Sequence, residues 1–282
     1  MPELPEVETV ASSVDRRARG DVILSTWFSS HKEPFKTSPS LLADALAGRK
    51  IAGVRRVGKH IVMDLEKAPA PRGASRSNRE ARSQEIQFVV HLGMTGQFLV
   101  ADPRIPQPPH THAILHLASG RELRFVDPRR FGRLALAAHP FTGPGTEPLT
   151  VGAEDFAALF RGRKLAIKPA LLNQKLLHGV GNIYADESLF RAGIRPTRKA
   201  GRLTRAELER LRKALRTVLQ AAIRAGGSSI SDYVDADGAP GSFQIQHRVY
   251  GREGQPCRVC ATPIRRIVLG GRSTHFCPHC QK

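Results

Sequence analysis

Two positions at opposite ends of the chain carry residues suited to chemistry. Near the C-terminus, Cys257-x2-Cys260 and Cys277-x2-Cys280 stand sixteen residues apart. Paired knuckles at this separation bring four thiolates onto one tetrahedral zinc ion, and four thiolates leave no open position for water, so the expected role is structural. A mixed set using His275 or His279 is the alternative. At the other end, removal of Met1 would leave Pro2 with a free secondary amine. Such an amine attacks an aldehyde-like carbon to form an iminium, chemistry more often assigned to lysine. With an α-amino pKa of about 7.7–8.0, roughly a tenth or more of it is neutral at pH 7, where an unperturbed lysine is almost wholly charged. Glu3, Glu6 and Glu8 suit a first helical turn, whose dipole they complement. Glu3 has a second reading, as a general acid beside that amine.

The elements that must position these residues are legible from periodicity. Val7, Val10, Val14 and Ala18 follow a helical stripe from Pro5 to about Arg19. Short β-rich runs follow at Val22–Phe28, Lys50–Val57, Ile61–Leu65, Ile86–Leu92, Gln97–Val100, Ala113–Leu117, Glu122–Phe125 and Arg133–Leu136, and their spacing suggests a β-sandwich or barrel. Lys67–Ser83 has almost no large apolar residue and reads as a surface loop. Pro140–Pro148 reads as a linker, after which the period becomes helical: Glu154–Phe160, Pro169–Leu177, Ile183–Arg191, and a long helix opened by the capping box Thr204–Glu207 and ended by Gly226-Gly227. The fold class is therefore α+β, with expected divisions at residues 1–140, 149–227, 228–248 and 249–282.

Charge indicates the partner. The 282 residues carry 44 Lys+Arg against 25 Asp+Glu, a net +19, while 40% are hydrophobic. The chain folds, and its basic excess sits on a structured surface that suits a polyanion. Arg252, Arg258, Arg265, Arg266 and Arg272 surround the cysteines with only Glu253 opposing them. Arg272, in the turn Gly270-Gly271-Arg272-Ser273, is well presented to a backbone phosphate. No run approaches the ~20 apolar residues that span a bilayer, and the acidic start MPELPEVETV does not suit a secretory peptide, so a cytoplasmic protein is expected.

Five segments, MPELPEVETV (1–10), HLGMTG (91–96), DPRRFG (127–132), GVGNIYADESLF (179–190) and the terminal CPHCQK, occur together and in order. In these the chain resembles formamidopyrimidine-DNA glycosylase, a bifunctional bacterial base-excision repair enzyme. The resemblance implies an N-terminal catalytic β-sandwich with an N-terminal helix, a helix–two-turns–helix DNA-binding domain, a lesion-capping loop and connector, and a C-terminal zinc-finger β-hairpin. It implies a monomer, associated with the nucleoid, acting on double-stranded DNA that contains oxidised purines (8-oxoguanine, formamidopyrimidines) or abasic sites. It further implies Pro2 as nucleophile at C1′, Glu3 as the acid for sugar ring opening, Lys59 in β-elimination and Arg272 in δ-elimination. Met94, Arg129 and Phe131 would fill the space left by a base that must leave the duplex. His91, Arg129, Arg163, Lys164 and Asn182 would contact phosphates, Asn182 from a glycine-rich helix start.

Arg163 stands where the family has lysine, which phosphate contact tolerates. The Lys67–Ser83 insertion is long for the family, and Ser228–Gln244, at the lesion-capping position, has a composition of its own. Two rivals stand beside this reading: an endonuclease VIII-like glycosylase for oxidised pyrimidines, and a non-catalytic zinc-ribbon DNA-binding protein. Leu4, Met94, Phe131 and the DPRRFG motif oppose the first. The second has no use for Pro2, Glu3 and Lys59 together.

Overall fold

Each β-rich run between Val22 and Leu136 forms a strand in the computed structural model, which describes residues 1–67, 85–137, 140–229 and 233–282. Two antiparallel four-stranded sheets result. One has the order β1 (Ile23–Phe28), β6 (Thr111–Leu117), β7 (Glu122–Val126), β5 (Gln97–Ala101). The other runs β2 (Arg49–Val57), β3 (His60–Lys67), β4 (Ile86–His91), β8 (Arg133–Ala137). Ile51, Ile61, Met63 and Phe88 of one sheet and Phe98, Leu115 and Phe125 of the other join the stripe Val7, Val10 and Val14 of helix α1 (Leu4–Ala18) in one core. These alternating apolar faces make the sandwich. The β2–β3 hairpin turns on Gly58 and Lys59, with Val57 opposite His60. Gly58 has φ +60°, as a two-residue hairpin turn requires. The insertion read at Lys67–Ser83 lies, beyond Lys67, outside the described residues.

Two local readings are corrected. Helix α2 (Pro39–Leu46) is absent from the sequence reading: Ser38 accepts the Leu41 N–H, Pro39 opens the first turn, and only Leu42 and Leu46 face the core. Two buried positions in eight residues are too few to establish a period. The helix expected over Pro169–Leu177 is α4 (Ile167–Leu172). Asn173 ends it, because its side chain accepts the Lys175 N–H at 3.0 Å and turns the backbone away.

By contacts the chain divides into two units, one of residues 1–2, 6–142 and 229–241, the other of residues 3–5, 143–228 and 242–282. In the second, α3 (Ala153–Phe160), α4, α5 (Asn182–Ala192) and α6 (Arg205–Arg224) enclose a core containing Phe156, Phe160, Tyr184 and Leu215. The Thr204–Glu207 capping box is present, and Gly226 and Gly227 leave α6 at φ +72° and +82°. A hairpin of β9 (Arg265–Leu269) and β10 (Arg272–Phe276) completes this unit.

The described part of segment 229–241 is anchored on the first unit. Tyr233 donates its hydroxyl to the Glu6 carbonyl at 3.2 Å, Val100 N–H donates to Ala236 O at 2.9 Å, and Arg17 meets Asp237 at 2.6 Å. No described helix is long and apolar enough to cross a membrane.

Candidate functional site

Glu3 is 4% exposed, and its Oε1 accepts the Ile183 N–H at 3.3 Å. The start of α5 has no side-chain cap of its own, so the carboxylate takes that place and meets the positive end of the helix. Both glycines before α5 are there to admit it. A Cβ at Gly181 would lie 2.1 Å from Glu3 Cδ, and one at Gly179 would lie 2.9 Å from Leu4 Cδ1 at φ +89°. The Leu4 N–H closes the junction by donating to Gly179 O at 3.0 Å. The glycine-rich helix start, read from the sequence as a phosphate cradle, is thus also the seat of residues 3 and 4. Gly181→Ala is expected to displace the Glu3 carboxyl and cut turnover at least about a hundredfold while the chain still folds, since misplacement by about 1 Å costs that much. Single-turnover rates beside circular dichroism check it; near-normal turnover would show that the seat is not needed.

Around Glu3 the second unit gathers further polar groups. Lys168, fully buried, meets Asp186 Oδ1 at 2.7 Å and donates to Ser273 O at 2.7 Å and Thr274 Oγ1 at 2.9 Å. Asp186 Oδ2 accepts the His275 N–H at 2.8 Å. This buried pair therefore ties α4 and α5 to β10, which begins with Arg272. Burial lowers the Lys168 pKa, and Asp186 opposes that shift. Asn182 donates to Ser273 Oγ at 3.3 Å and hydrogen-bonds the Tyr250 side chain. The charges of Glu3 and Arg272 both act on Lys168 and on Tyr250. Arg272 itself is exposed. Arg163 and Lys164 are exposed on the turn between α3 and α4, apart from this hydrogen-bonded group.

The first unit holds a second group. Lys59 sits at the β2–β3 hairpin tip, followed by His60, which pairs with His91 across β3 and β4. The two rings lie 4.9 Å apart. Burial, then the charges of His60, Lys59 and Arg133, hold the His91 pKa down to about 4. The Gly93 N–H donates to His91 Nδ1 at 3.1 Å, so the proton of the neutral ring is on Nε2, free to donate. The unfolded chain protonates this ring near its ordinary 6.5 and the folded chain only near 4, so the fold loses stability as pH falls through that window and keeps it above. An NMR titration is expected to find His91 still neutral at pH 5.5; a midpoint near 6.5 would contradict the burial.

Met94 and Phe131 are 40% and 47% exposed, and the Arg129 guanidinium stacks over the Phe131 ring at 4.8 Å. Asp127 sets this arrangement. Its buried carboxylate accepts from Thr95 Oγ1 at 2.6 Å, Arg129 N at 3.3 Å and Gly132 N at 2.7 Å. One side chain thereby clamps the Met94 turn to the Phe131 loop. A Cβ at Gly93 would come within 2.5 Å of Gly132 N, so the two loops touch backbone to backbone. Pro2, also buried, is joined to Glu3 by one peptide bond.

All four cysteine Sγ atoms lie within 4.8 Å of one another, with contacts of 3.5 Å for Cys260–Cys277 and 4.0 Å for Cys257–Cys280. A tetrahedron with Zn–S bonds near 2.3 Å has edges of about 3.8 Å, so the set fits one zinc ion. His275 is turned to Asp186 instead, and His279 is not part of the cluster.

Models of known families account for nearly the whole chain. The formamidopyrimidine-DNA glycosylase N-terminal domain matches residues 1–134, the formamidopyrimidine-DNA glycosylase H2TH domain residues 143–234, and a zinc finger found in FPG and IleRS residues 254–282. The chain belongs to the formamidopyrimidine-DNA glycosylase family. The Solibacter usitatus formamidopyrimidine-DNA glycosylase is 45% identical over 285 residues, covering 100% of both chains. The Thermus thermophilus FPG crystal structure is 40% identical with a TM-score of 0.81, covering 99% of this chain and 98% of that one. A Lactococcus lactis FPG mutant bound to DNA containing Fapy-dG is 31% identical with a TM-score of 0.87, both chains covered in full. The α+β architecture, a β-sandwich, a helical H2TH region and a cysteine-bearing hairpin, is that of formamidopyrimidine-DNA glycosylases, and its finger carries one structural zinc ion.

Sequence reasoning missed two residues of this site. Asp127 was visible in DPRRFG, but its role depends on contacts with residues 95 and 132. Lys168 offered one signal, a lysine inside the apolar run Leu165–Leu172.

Proposed function

We propose that the chain is a bifunctional DNA glycosylase and AP lyase that excises oxidised purines from duplex DNA and then cleaves the strand. The observation that carries this reading is Glu3 seated on the start of α5, one peptide bond from Pro2, in the unit whose hairpin presents Arg272. With Met1 removed, the Pro2 nitrogen attacks C1′ of the damaged nucleotide. The C1′–base bond breaks, the base leaves with its electron pair and a proton, and Glu3 protonates the sugar oxygen as the ring opens. The resulting iminium acidifies the adjacent C2′ proton. Lys59 assists its removal as the 3′ phosphate leaves by β-elimination, and Arg272 steadies the 5′ phosphate expelled in δ-elimination. The product is a one-nucleotide gap flanked by phosphates.

In this reading Met94, Arg129 and Phe131 enter the vacated stack, and His91, Arg129, Arg163, Lys164 and Asn182 hold phosphates. Exposure of Met94 and Phe131, and the free Nε2–H of His91, support those roles. Residues 1–140 form the catalytic domain, 149–227 the helical DNA-binding domain, 228–248 the capping loop and connector, and 249–282 the zinc finger. The net +19 suits association with chromosomal DNA. Lactococcus lactis FPG has been solved with Fapy-dG-containing and abasic-site DNA, which supports the substrate class. It has also been solved with DNA containing an oxidised pyrimidine, which favours a second reading with that substrate.

Duplexes with one 8-oxoguanine opposite cytosine, or one oxidised pyrimidine, test the proposal through the released base and strand ends. Release of 8-oxoguanine with phosphate on both flanks is expected. Preferential pyrimidine release moves the chain to an endonuclease VIII-like activity; salt-sensitive binding without release leaves a non-catalytic DNA-binding protein.

A further inference from the structure

A groove of 690 Å³ opens in the second unit between the end of α5, the outer face of α6 and the first cysteine knuckle. Its floor is apolar: Val218 and Ala221 of α6, and Phe243 from the later turn Phe243–Gln246. Ile245 and Val259 line it 71% and 69% exposed, with Val268 the most exposed large hydrophobic side chains among the described residues. Asn182, the candidate phosphate ligand, begins α5, whereas this groove takes the other end at Phe190–Ala192. Eight to ten residues at 1.5 Å rise put the two about 12–15 Å apart along the helix. None of Asn182, Arg163, Lys164 and Arg272, the candidate DNA contacts of this unit, lines the groove.

Its charge is one-sided. Arg191, Arg248 and Arg258 line it, all exposed, and Glu187 is the one acid among the lining residues. Glu187 is buried at 4% exposure and already accepts the backbone N–H groups of Arg248, Val249 and Tyr250 at 2.9 Å. It faces inward and leaves the cations unbalanced. Arg258 directs its guanidinium to the Ile245 carbonyl at 3.4 Å, which sets a cation beside the exposed isoleucine.

We propose that this groove docks an acidic, apolar peptide segment of a partner protein. Large side chains of the segment fill the floor between α6 and Phe243, and its carboxylates meet the three arginines. A second copy of this chain is disfavoured by its own net +19, and a nucleic-acid backbone gains nothing from the two exposed aliphatic side chains.

The test uses the full-length, zinc-loaded protein with its DNA face blocked by excess duplex carrying an abasic-site analogue that binds but cannot react. Sixteen-residue peptides are selected from a random display library, and the enriched sequences are synthesised and titrated by fluorescence anisotropy. Enrichment of sequences combining Asp or Glu with Leu, Ile or Phe is expected. Hydrogen exchange should slow at residues 190–193, 217–221 and 243–248 when they bind. Ile245→Asp and Arg191→Glu should each weaken binding at least about tenfold while zinc content and base release stay at wild-type levels. Three results would overturn the proposal: no acidic-apolar enrichment, enriched peptides indifferent to both substitutions, or peptides displaced by added single- or double-stranded DNA.

Discussion

Pro2→Gly is expected to lower base excision and strand cleavage at least about a hundredfold, equivalent to about 2.7 kcal/mol of barrier, while specific lesion binding changes by less than about threefold. Glycine still offers an N-terminal amine, so the loss would come from geometry. The proline ring fixes φ and presents its nitrogen from a buried position one peptide bond from Glu3, and a primary amine on a free glycine keeps neither constraint. Single-turnover excision rates, compared with Kd on a duplex that binds but cannot react, separate the two quantities. A parallel fall in both would assign Pro2 to binding or folding rather than to bond-making.

Replacing Cys257 and Cys260 together by Ser is expected to release the zinc ion and weaken DNA binding about tenfold to a hundredfold, with a shallower dependence on salt. The finger's own core is small, comprising Val249, Cys257, Ile264 and Cys277. A module of about 30 residues with so little apolar surface does not hold itself together without a metal. Loss of the ion therefore frees the hairpin bearing Arg272, although Lys168 and Asp186 still grip its β10 side. Zinc content by atomic absorption and binding over a range of salt concentrations check this. A zinc-free variant with normal affinity would show that the finger does not present Arg272 to DNA.

Much of this architecture was legible in the sequence because it depends on local patterns. Strand alternation between Val22 and Leu136, the Thr204 capping box and the glycine stop after α6 are each written in neighbouring residues, as are the two cysteine knuckles. What was not legible depends on residues distant in the chain. The glycines before α5 have an obvious use in the sequence as a phosphate cradle, yet their closest neighbours are Glu3 and Leu4, some 175 positions earlier. Asp127 stands in a motif and Lys168 in an apolar run, but the role of each appears only when the folded chain brings Thr95 and Gly132 to one and Ser273 to the other. Helix α2 fell below detection for a different reason, having only two buried positions to show.

The proposed chemistry turns on Pro2 forming the covalent bond. Incubation with a duplex carrying one 8-oxoguanine opposite cytosine, reduction by borohydride and peptide mass spectrometry test it most directly. The expected result is a stable protein–DNA adduct located on Pro2, with Met1 absent. An adduct on Lys59 or another lysine, or none with any lesion, would contradict it.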